Sequence, residues 1–317
     1  MKVIDHLRRS DRTLFSFEIL PPLKGRDMGS IYEGIDPLIE FKPSFINVTY
    51  HREEVIYKDM GHGLLQKVRL RKRPGTVGIC ATIKAKYDID TVPHLICGGF
   101  SQEDTEDALI ELNFLGIDNV LALRGDPIKH EPHFIPERDG HAHAVDLIRQ
   151  IANLNKGKYL HEEEQEAAAT DLCIGAACYP EKHPEALNLN VDIAYLKQKV
   201  EAGAEYLVTQ MFFDNAKYFR FVDLCREAGI TVPIIPGLKP ITTLKHIAFL
   251  PKTFRVDLPD ALAAELVKCR SDLEVRRIGI EWCVGQCREL MAKGAPCLHF
   301  YTMGRSEAVR AVAAAVL

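Results

Sequence analysis

The stretch Asn119-Val120-Leu121-Ala122-Leu123-Arg124-Gly125-Asp126-Pro127 decides the fold. Its apolar run reads as a strand buried on both faces, as in a parallel sheet with helices outside. The run ends abruptly in a cation, a flexible residue, an anion and a breaker. Gly125 lets the backbone approach a ligand closely, and Pro127 stops the ladder. A solvated strand end has the same look, so this stretch alone is not diagnostic. The same figure, however, recurs along the chain.

Upstream, Thr13 to Leu20 alternates aromatic and polar residues before Pro21-Pro22 and carries Glu18 near its end. Phe45 to Tyr50 closes on Thr49-Tyr50, and Thr91 to Cys97 contains His94, with Pro93 tolerable only near a strand's start. Downstream, Leu172 to Cys178 delivers Tyr179 and His183, Tyr206 to Gln210 ends in Gln210, Val232 to Gly237 is the seventh run, and Cys297 to Thr302 is the eighth. Helical spacing fills the intervals over 31–41, 101–115, 144–153, 191–202, 218–228, 244–250, 261–268, 273–293 and 306–317. Val77 to Tyr87 reads as strand or helix, and helix is favoured because the next strand follows too soon for another crossover. Eight strands, each followed by helical sequence, define an α/β fold, a single (β/α)8 TIM barrel over residues 1–317. A doubly wound open sheet is the alternative, but no GxGxxG follows the first strand.

The 317 residues are 47% apolar and 26% charged, as in an ordinary globular protein, and the net charge of −4 argues against a chain-wide nucleic-acid footprint. The N-terminus lacks the apolar core of a signal peptide, and no run approaches a membrane span. Nine cysteines without metal-ligand spacing read as reduced thiols, hence a cytoplasmic protein with no bound metal. The run Lys67-Val68-Arg69-Leu70-Arg71-Lys72-Arg73 reads as a solvated helix end or loop, with a phosphate-binding patch as the alternative. Residues 156–170, with Glu162-Glu163-Glu164, read as a surface insertion.

In a barrel, the strand ends converge on one mouth. Here they bring Glu18, Thr49, Tyr50, His94, Arg124, Gly125, Asp126, Tyr179, His183, Gln210 and Tyr301. Metal hydrolysis would use His94, Glu18 and Asp126, but no H-x-H occurs there. A Schiff-base aldolase wants a lysine inside a strand, and none of the eight carries one. A glycosidase would pair Glu18 with Asp126. A bound redox cofactor wants mixed hydrogen-bonding groups, an arginine for phosphate and few acids, and fits best.

Phe17-Glu18-x-x-Pro21-Pro22, Val48-Thr49-Tyr50, Leu123-Arg124-Gly125-Asp126, Tyr179-Pro180-Glu181-x-His183-Pro184-Glu185-Ala186, Thr209-Gln210-x-Phe212-Phe213-Asp214 and His299-Phe300-Tyr301-Thr302 occur in order. Together they resemble the methylenetetrahydrofolate reductase family over nearly the whole chain. The resemblance implies a (β/α)8 barrel with non-covalent FAD at its mouth. It implies reduction of 5,10-methylenetetrahydrofolate to 5-methyltetrahydrofolate by NADH or NADPH, in two ping-pong half-reactions at one site, a step of one-carbon metabolism that feeds methionine biosynthesis. It makes Glu18 the general acid, sets Asp126 near the flavin and the pterin, and gives Gln210 to folate and nicotinamide in turn. Thr49, Tyr50, His94, Arg124, Gly125, Asp126, Ala144, Tyr179, His183, Ala186, Asp192 and Lys199 fall on FAD-lining positions, and Arg305 on a substrate-side position.

Some positions depart from the pattern. Tyr195 and Gln198 stand where bacterial relatives can carry an asparagine and an arginine near the FAD phosphates, and His51-Arg52 replaces a small-residue pair. The register around Phe249-Leu250, where relatives set a phenylalanine against nicotinamide, is open. No regulatory domain is expected after the eighth helix. The expected partners are the two small-molecule substrates and further copies of the chain in a homo-oligomer, with no nucleic acid and no membrane. Two rivals are a flavin- or folate-binding barrel without turnover and a different flavin-dependent barrel of the proline-dehydrogenase kind.

Overall fold

The computed structural model describes residues 1–128, 131–161 and 167–317. The strands are β1 (Leu14–Ile19), β2 (Phe45–Val48), β3 (Glu54–Asp59), β4 (Leu65–Leu70), β5 (Asp90–Ile96), β6 (Asn119–Leu123), β7 (Cys173–Cys178), β8 (Tyr206–Thr209), β9 (Ile234–Ile235), β10 (Gly237–Leu238) and β11 (Cys297–Tyr301). The helices are α1 (Val3–Arg9), α2 (Gly29–Ile39), α3 (Thr76–Tyr87), α4 (Gln102–Phe114), α5 (Ala144–Leu154), α6 (Leu189–Ala202), α7 (Asn215–Glu227), α8 (Leu244–Phe254), α9 (Asp260–Leu266), α10 (Asp272–Ala292) and α11 (Glu307–Val316).

All strands but β3 and β4 form one parallel sheet in the order β10-β11-β1-β2-β5-β6-β7-β8-β9. Its two ends, β9 and β10, are halves of the expected seventh strand, split at Pro236, which has no N–H to give the ladder. The ring nevertheless closes across the split. Pro236 O accepts from His299 N at 3.1 Å, and Gly237 N donates to Thr209 Oγ1 at 2.9 Å. The fold is the expected α/β barrel.

Alternation along the strands sorts the side chains into two layers. Phe17, Ile46, Ile174, Leu207 and Leu298 point outward into a core shared with the helices, where Ile35, Leu109, Ile148 and Cys287 meet them. Phe45, Val92, Leu121, Cys173, Tyr206 and Cys297 fill the lower barrel, and Val3 and Ile4 of α1 plug its floor. The nine cysteines are free and buried. Ser101 opens α4 with a full capping box to Asp104.

Three expectations need correction. The basic run Lys67–Arg73 is not a helix end or loop: Lys67–Leu70 belongs to β4, antiparallel to β3. Its cations alternate with Val68 and Leu70, which is strand periodicity. A lone two-stranded hairpin is marginal. This one is tied down at its base, where Lys72 pairs with Glu54 at 2.5 Å, Arg69 with Glu137 at 3.5 Å, and Arg52 with Glu131 and Glu137 at 2.9 and 3.2 Å. Pro93 lies in the middle of β5 rather than near its start. It sits opposite Val48, the last residue of β2, where the ladder on that side ends. The seventh strand is the split pair already described. Glu162-Glu163-Glu164 of the expected insertion lie outside the described residues.

Candidate active site

Above the apolar floor the barrel interior turns polar. Ser16 and Glu18 come from β1, Asn47 from β2, His94 from β5, His299 and Tyr301 from β11. Ser16, Asn47 and His299 are fully buried, and His94 is 5% exposed. Ser16 Oγ meets His299 Nδ1 at 2.8 Å, Asn47 Nδ2 meets His94 Nε2 at 3.3 Å, and His94 Nε2 lies 3.4 Å from Glu18 Oε2. His94 is therefore not a rim residue. Two residues of β5 follow it, and it lies inside the barrel beneath Glu18.

Burial sets the charge states of this column, because a charge loses its hydration there. The Glu18 carboxyl, its side chain 15% exposed, is pushed up to about 8 by burial, so it is neutral at neutral pH. His94 is taken down to about 3 by burial, with further pushes from His299 and His51, and His299 to about 3 by burial. Neutral acid and neutral imidazoles lie side by side. Tyr301 is kept as a phenol, chiefly by burial, and its hydroxyl donates to Thr209 O at 2.5 Å. The same pair explains Gly237, where a Cβ would lie closest to Thr209 O and 2.6 Å from the Tyr301 ring.

Around the mouth, Gln210 is half-buried after β8, its Oε1 accepting from Met211 N at 2.9 Å. Asp126 is exposed after β6. Arg124 is gripped at two points by Glu185, at 2.6 and 2.7 Å, and its guanidinium lies 5.1 Å over the Phe134 ring. Gly125 adopts φ +84°, a conformation that favours glycine, and a Cβ there would lie 3.3 Å from Ile96. The Tyr179 ring meets His183 edge-on at 4.7 Å, and His183 N donates to Asp192 Oδ2 at 2.7 Å. Lys199 reaches Ala177 O at 3.0 Å, and with Tyr179 and Asp192 it lines one narrow cleft outside the barrel wall. Ala186 caps the His183 turn, and Ala144 opens α5. Tyr195 and Gln198 are exposed on α6.

Two expected positions go elsewhere. Thr49 Oγ1 donates to Ile19 O at 3.0 Å, bracing the ends of β1 and β2. Tyr50 turns from the axis, its ring 5.0 Å from Phe100, and lines a cavity of about 640 Å³ between α2, α3 and α4. Arg305 is exposed on the turn after β11, where Met303 and Gly304 have positive φ.

Sequence reasoning passed over Asn47, a polar residue in the otherwise apolar Phe45-Ile46-Asn47-Val48, and that interruption was its signal. It also passed over Lys239, just beyond β10. Lys239 is 6% exposed, and burial, with Arg305 adding to it, lowers its ammonium to about 8. Among the described residues no group of three or more His, Cys, Asp or Glu is arranged to hold a metal ion, and no helix is long and apolar enough to cross a membrane.

The fold and this rim define a (β/α)8 barrel whose mouth holds a neutral carboxylic acid, an amide and a glycine-backed arginine. Residues 2–316 match the family described as Methylenetetrahydrofolate reductase, and the chain belongs to that family. It is 33% identical over 317 residues to Methylenetetrahydrofolate reductase 1 of Schizosaccharomyces pombe, covering 98% of this chain and 48% of that protein. It is 31% identical to the probable methylenetetrahydrofolate reductase (NADH) of Oryza sativa, covering 96% and 48%. The chain thus spans about half the length of these relatives. A bacterial relative, 5,10-methylenetetrahydrofolate reductase of Buchnera aphidicola, is 32% identical, with 94% of this chain and 89% of that one covered. Among solved structures, a Clostridium thermocellum protein described as binding two copies of 5-methyl-5,6,7,8-tetrahydrofolic acid aligns over 98% of this chain and 97% of its own. Its TM-score is 0.57 at 14% identity, a likeness of fold.

Proposed function

We propose that this chain reduces 5,10-methylenetetrahydrofolate to 5-methyltetrahydrofolate, with hydride from NADH or NADPH carried by non-covalently bound FAD. The observation that carries this reading is Glu18, a carboxyl at the C-terminal end of a barrel strand that burial keeps protonated at neutral pH. Opening the five-membered ring of the substrate breaks the bond from the methylene carbon to N10 and leaves the electron pair on nitrogen. A neutral acid supplies the proton that nitrogen needs, a contribution typically worth about 10²–10⁴-fold. An ordinary glutamate, ionised near pH 4, has no proton to give at pH 7.

The other rim residues suit the same task. The Gln210 amide both donates and accepts, so it serves folate and nicotinamide in succession. Arg305, exposed on the neighbouring loop, suits the carboxylates of a folate tail.

The donor set also suits FAD. Arg124, Lys199 and His183 offer cationic or polar groups for a diphosphate, and Gly125 leaves its backbone bare where a side chain would crowd Ile96. His94, Ala144, Tyr179, Ala186 and Asp192 would complete the lining, with Asp126 toward the flavin ring. FAD, when bound, supplies a two-electron carrier that exchanges hydride with nicotinamide and with the methylene carbon.

Purified protein tests the reading. It should be yellow, bleach with NADH or NADPH without oxygen, and recolour on addition of methylenetetrahydrofolate. Bleaching without recolouring points to a different flavin-dependent barrel, and colour with neither change points to a binder without turnover.

A further inference from the structure

We infer that Asn47 is a positioning residue that keeps the proton on Glu18 by fixing the tautomer of His94; this rests on the reading of Glu18 as proton donor. Asn47 is fully buried on β2, in register with Glu18 on β1 and Val92 on β5. Its Nδ2 lies 3.3 Å from His94 Nε2. An amide nitrogen only donates, so Nε2 accepts and the ring proton of neutral His94 sits on Nδ1. The same Nε2 faces Glu18 Oε2 at 3.4 Å. An ionised carboxylate there would set its lone pair against that of the imidazole. A protonated carboxyl avoids the repulsion.

The opposite tautomer has the opposite effect. A His94 with its proton on Nε2 would present an N–H to the Glu18 carboxylate, and a hydrogen bond to the charged form favours it. Asn47 excludes that state by using Nε2 as an acceptor. The arrangement leaves Asn47 Oδ1 buried without a partner. Turning the amide around would pair that oxygen with an Nε2–H and select the other tautomer, so the native tautomer is the deciding observation.

The remaining groups facing Glu18 do not take over this role. Tyr301 of β11 spends its hydroxyl on Thr209 O, and His299 of β11 has its Nδ1 at Ser16 Oγ. His51, beyond β2, is held toward its neutral form by burial and by Arg73, with Asp126 opposing. Among the described residues none of these makes a hydrogen bond to the Glu18 carboxyl.

The test is ¹⁵N spectroscopy of histidine-labelled, flavin-loaded protein, with the His94 signals assigned by their loss in His94→Gln. The expected result is a bare Nε2 and a protonated Nδ1 in the native chain. In Asn47→Leu, of similar volume, the proton should move to Nε2. The Glu18 carboxyl titration, followed by its protonated C=O infrared band against Glu18→Gln, should fall by about one pH unit or more, a tenfold rise in its acid dissociation constant. A protonated Nε2 in the native chain overturns the inference, as does an unmoved Glu18 titration in a folded Asn47→Leu. If Asn47→Leu does not fold, the native tautomer alone decides. Should Glu18→Gln retain full activity toward folate, the functional reading falls while the tautomer result stands separately.

Discussion

Thr302 Oγ1 donates a 2.7 Å hydrogen bond to the main-chain carbonyl of Glu18, tying the end of the last barrel strand to the end of the first. Gly304 N returns to the same hydroxyl at 3.3 Å, so the turn that carries Arg305 hangs from the residue assigned as the acid. Thr302→Val keeps the shape and removes both bonds. We predict a loss of about 1 kcal/mol in urea unfolding. A midpoint unchanged within error would mean that the clamp contributes nothing.

Glu18 makes a second prediction, on stability. Its folded value near 8 lies above the ordinary 4.5, so between those pH values the folded chain binds one proton more than the unfolded one. The sign is then fixed: Glu18's contribution is fully present below about pH 4.5, falls as pH rises toward 8, and is flat above. The slope is at most about 1.4 kcal/mol per pH unit. Glu18→Gln lacks this dependence. Its Tm relative to the native chain should rise steadily from pH 5 to pH 8, and a constant difference would show that Glu18 is ionised in the folded state.

Asp126 is exposed beside Gly125, on the side proposed for the flavin ring. A carboxylate there disfavours an anionic reduced ring by charge repulsion. Asp126→Asn should raise the reduction potential of the bound flavin while slowing transfer to folate. An unchanged potential together with a lower Tm would make Asp126 a loop residue only.

Gln210 holds its amide oxygen on Met211 N, leaving the amide nitrogen for a ligand. Gln210→Leu should weaken folate binding and slow flavin reduction by NAD(P)H together, with FAD content kept. Loss of FAD alone would reassign Gln210 to the cofactor or to packing.

Much of this was legible because a barrel repeats one figure. The apolar run Val120–Leu123 followed by Arg124-Gly125-Asp126 announced a buried strand and its rim, and Glu18 and Gln210 could be set at the same mouth by counting strands. What stayed hidden depends on pairing across the barrel. No local pattern says that His94 lies beneath Glu18, because that follows from the stagger between β1, β2 and β5. The α1 floor plug was missed since seven residues carry little periodicity. The hairpin of β3 and β4 was missed because its charge density outweighed the alternation of Val68 and Leu70. Tyr50 lies two residues beyond β2, where strand alternation no longer dictates which way a side chain faces.

The most direct test separates the two half-reactions of Glu18→Gln by stopped flow. The amide is nearly the size of the acid and carries no transferable proton, and hydride transfer from NAD(P)H requires none. FAD should stay bound, its reduction by NAD(P)H should remain largely intact, and its reoxidation by methylenetetrahydrofolate should nearly vanish even at saturating folate. Comparable losses in both halves, or an undiminished folate half, would contradict Glu18 as the proton donor.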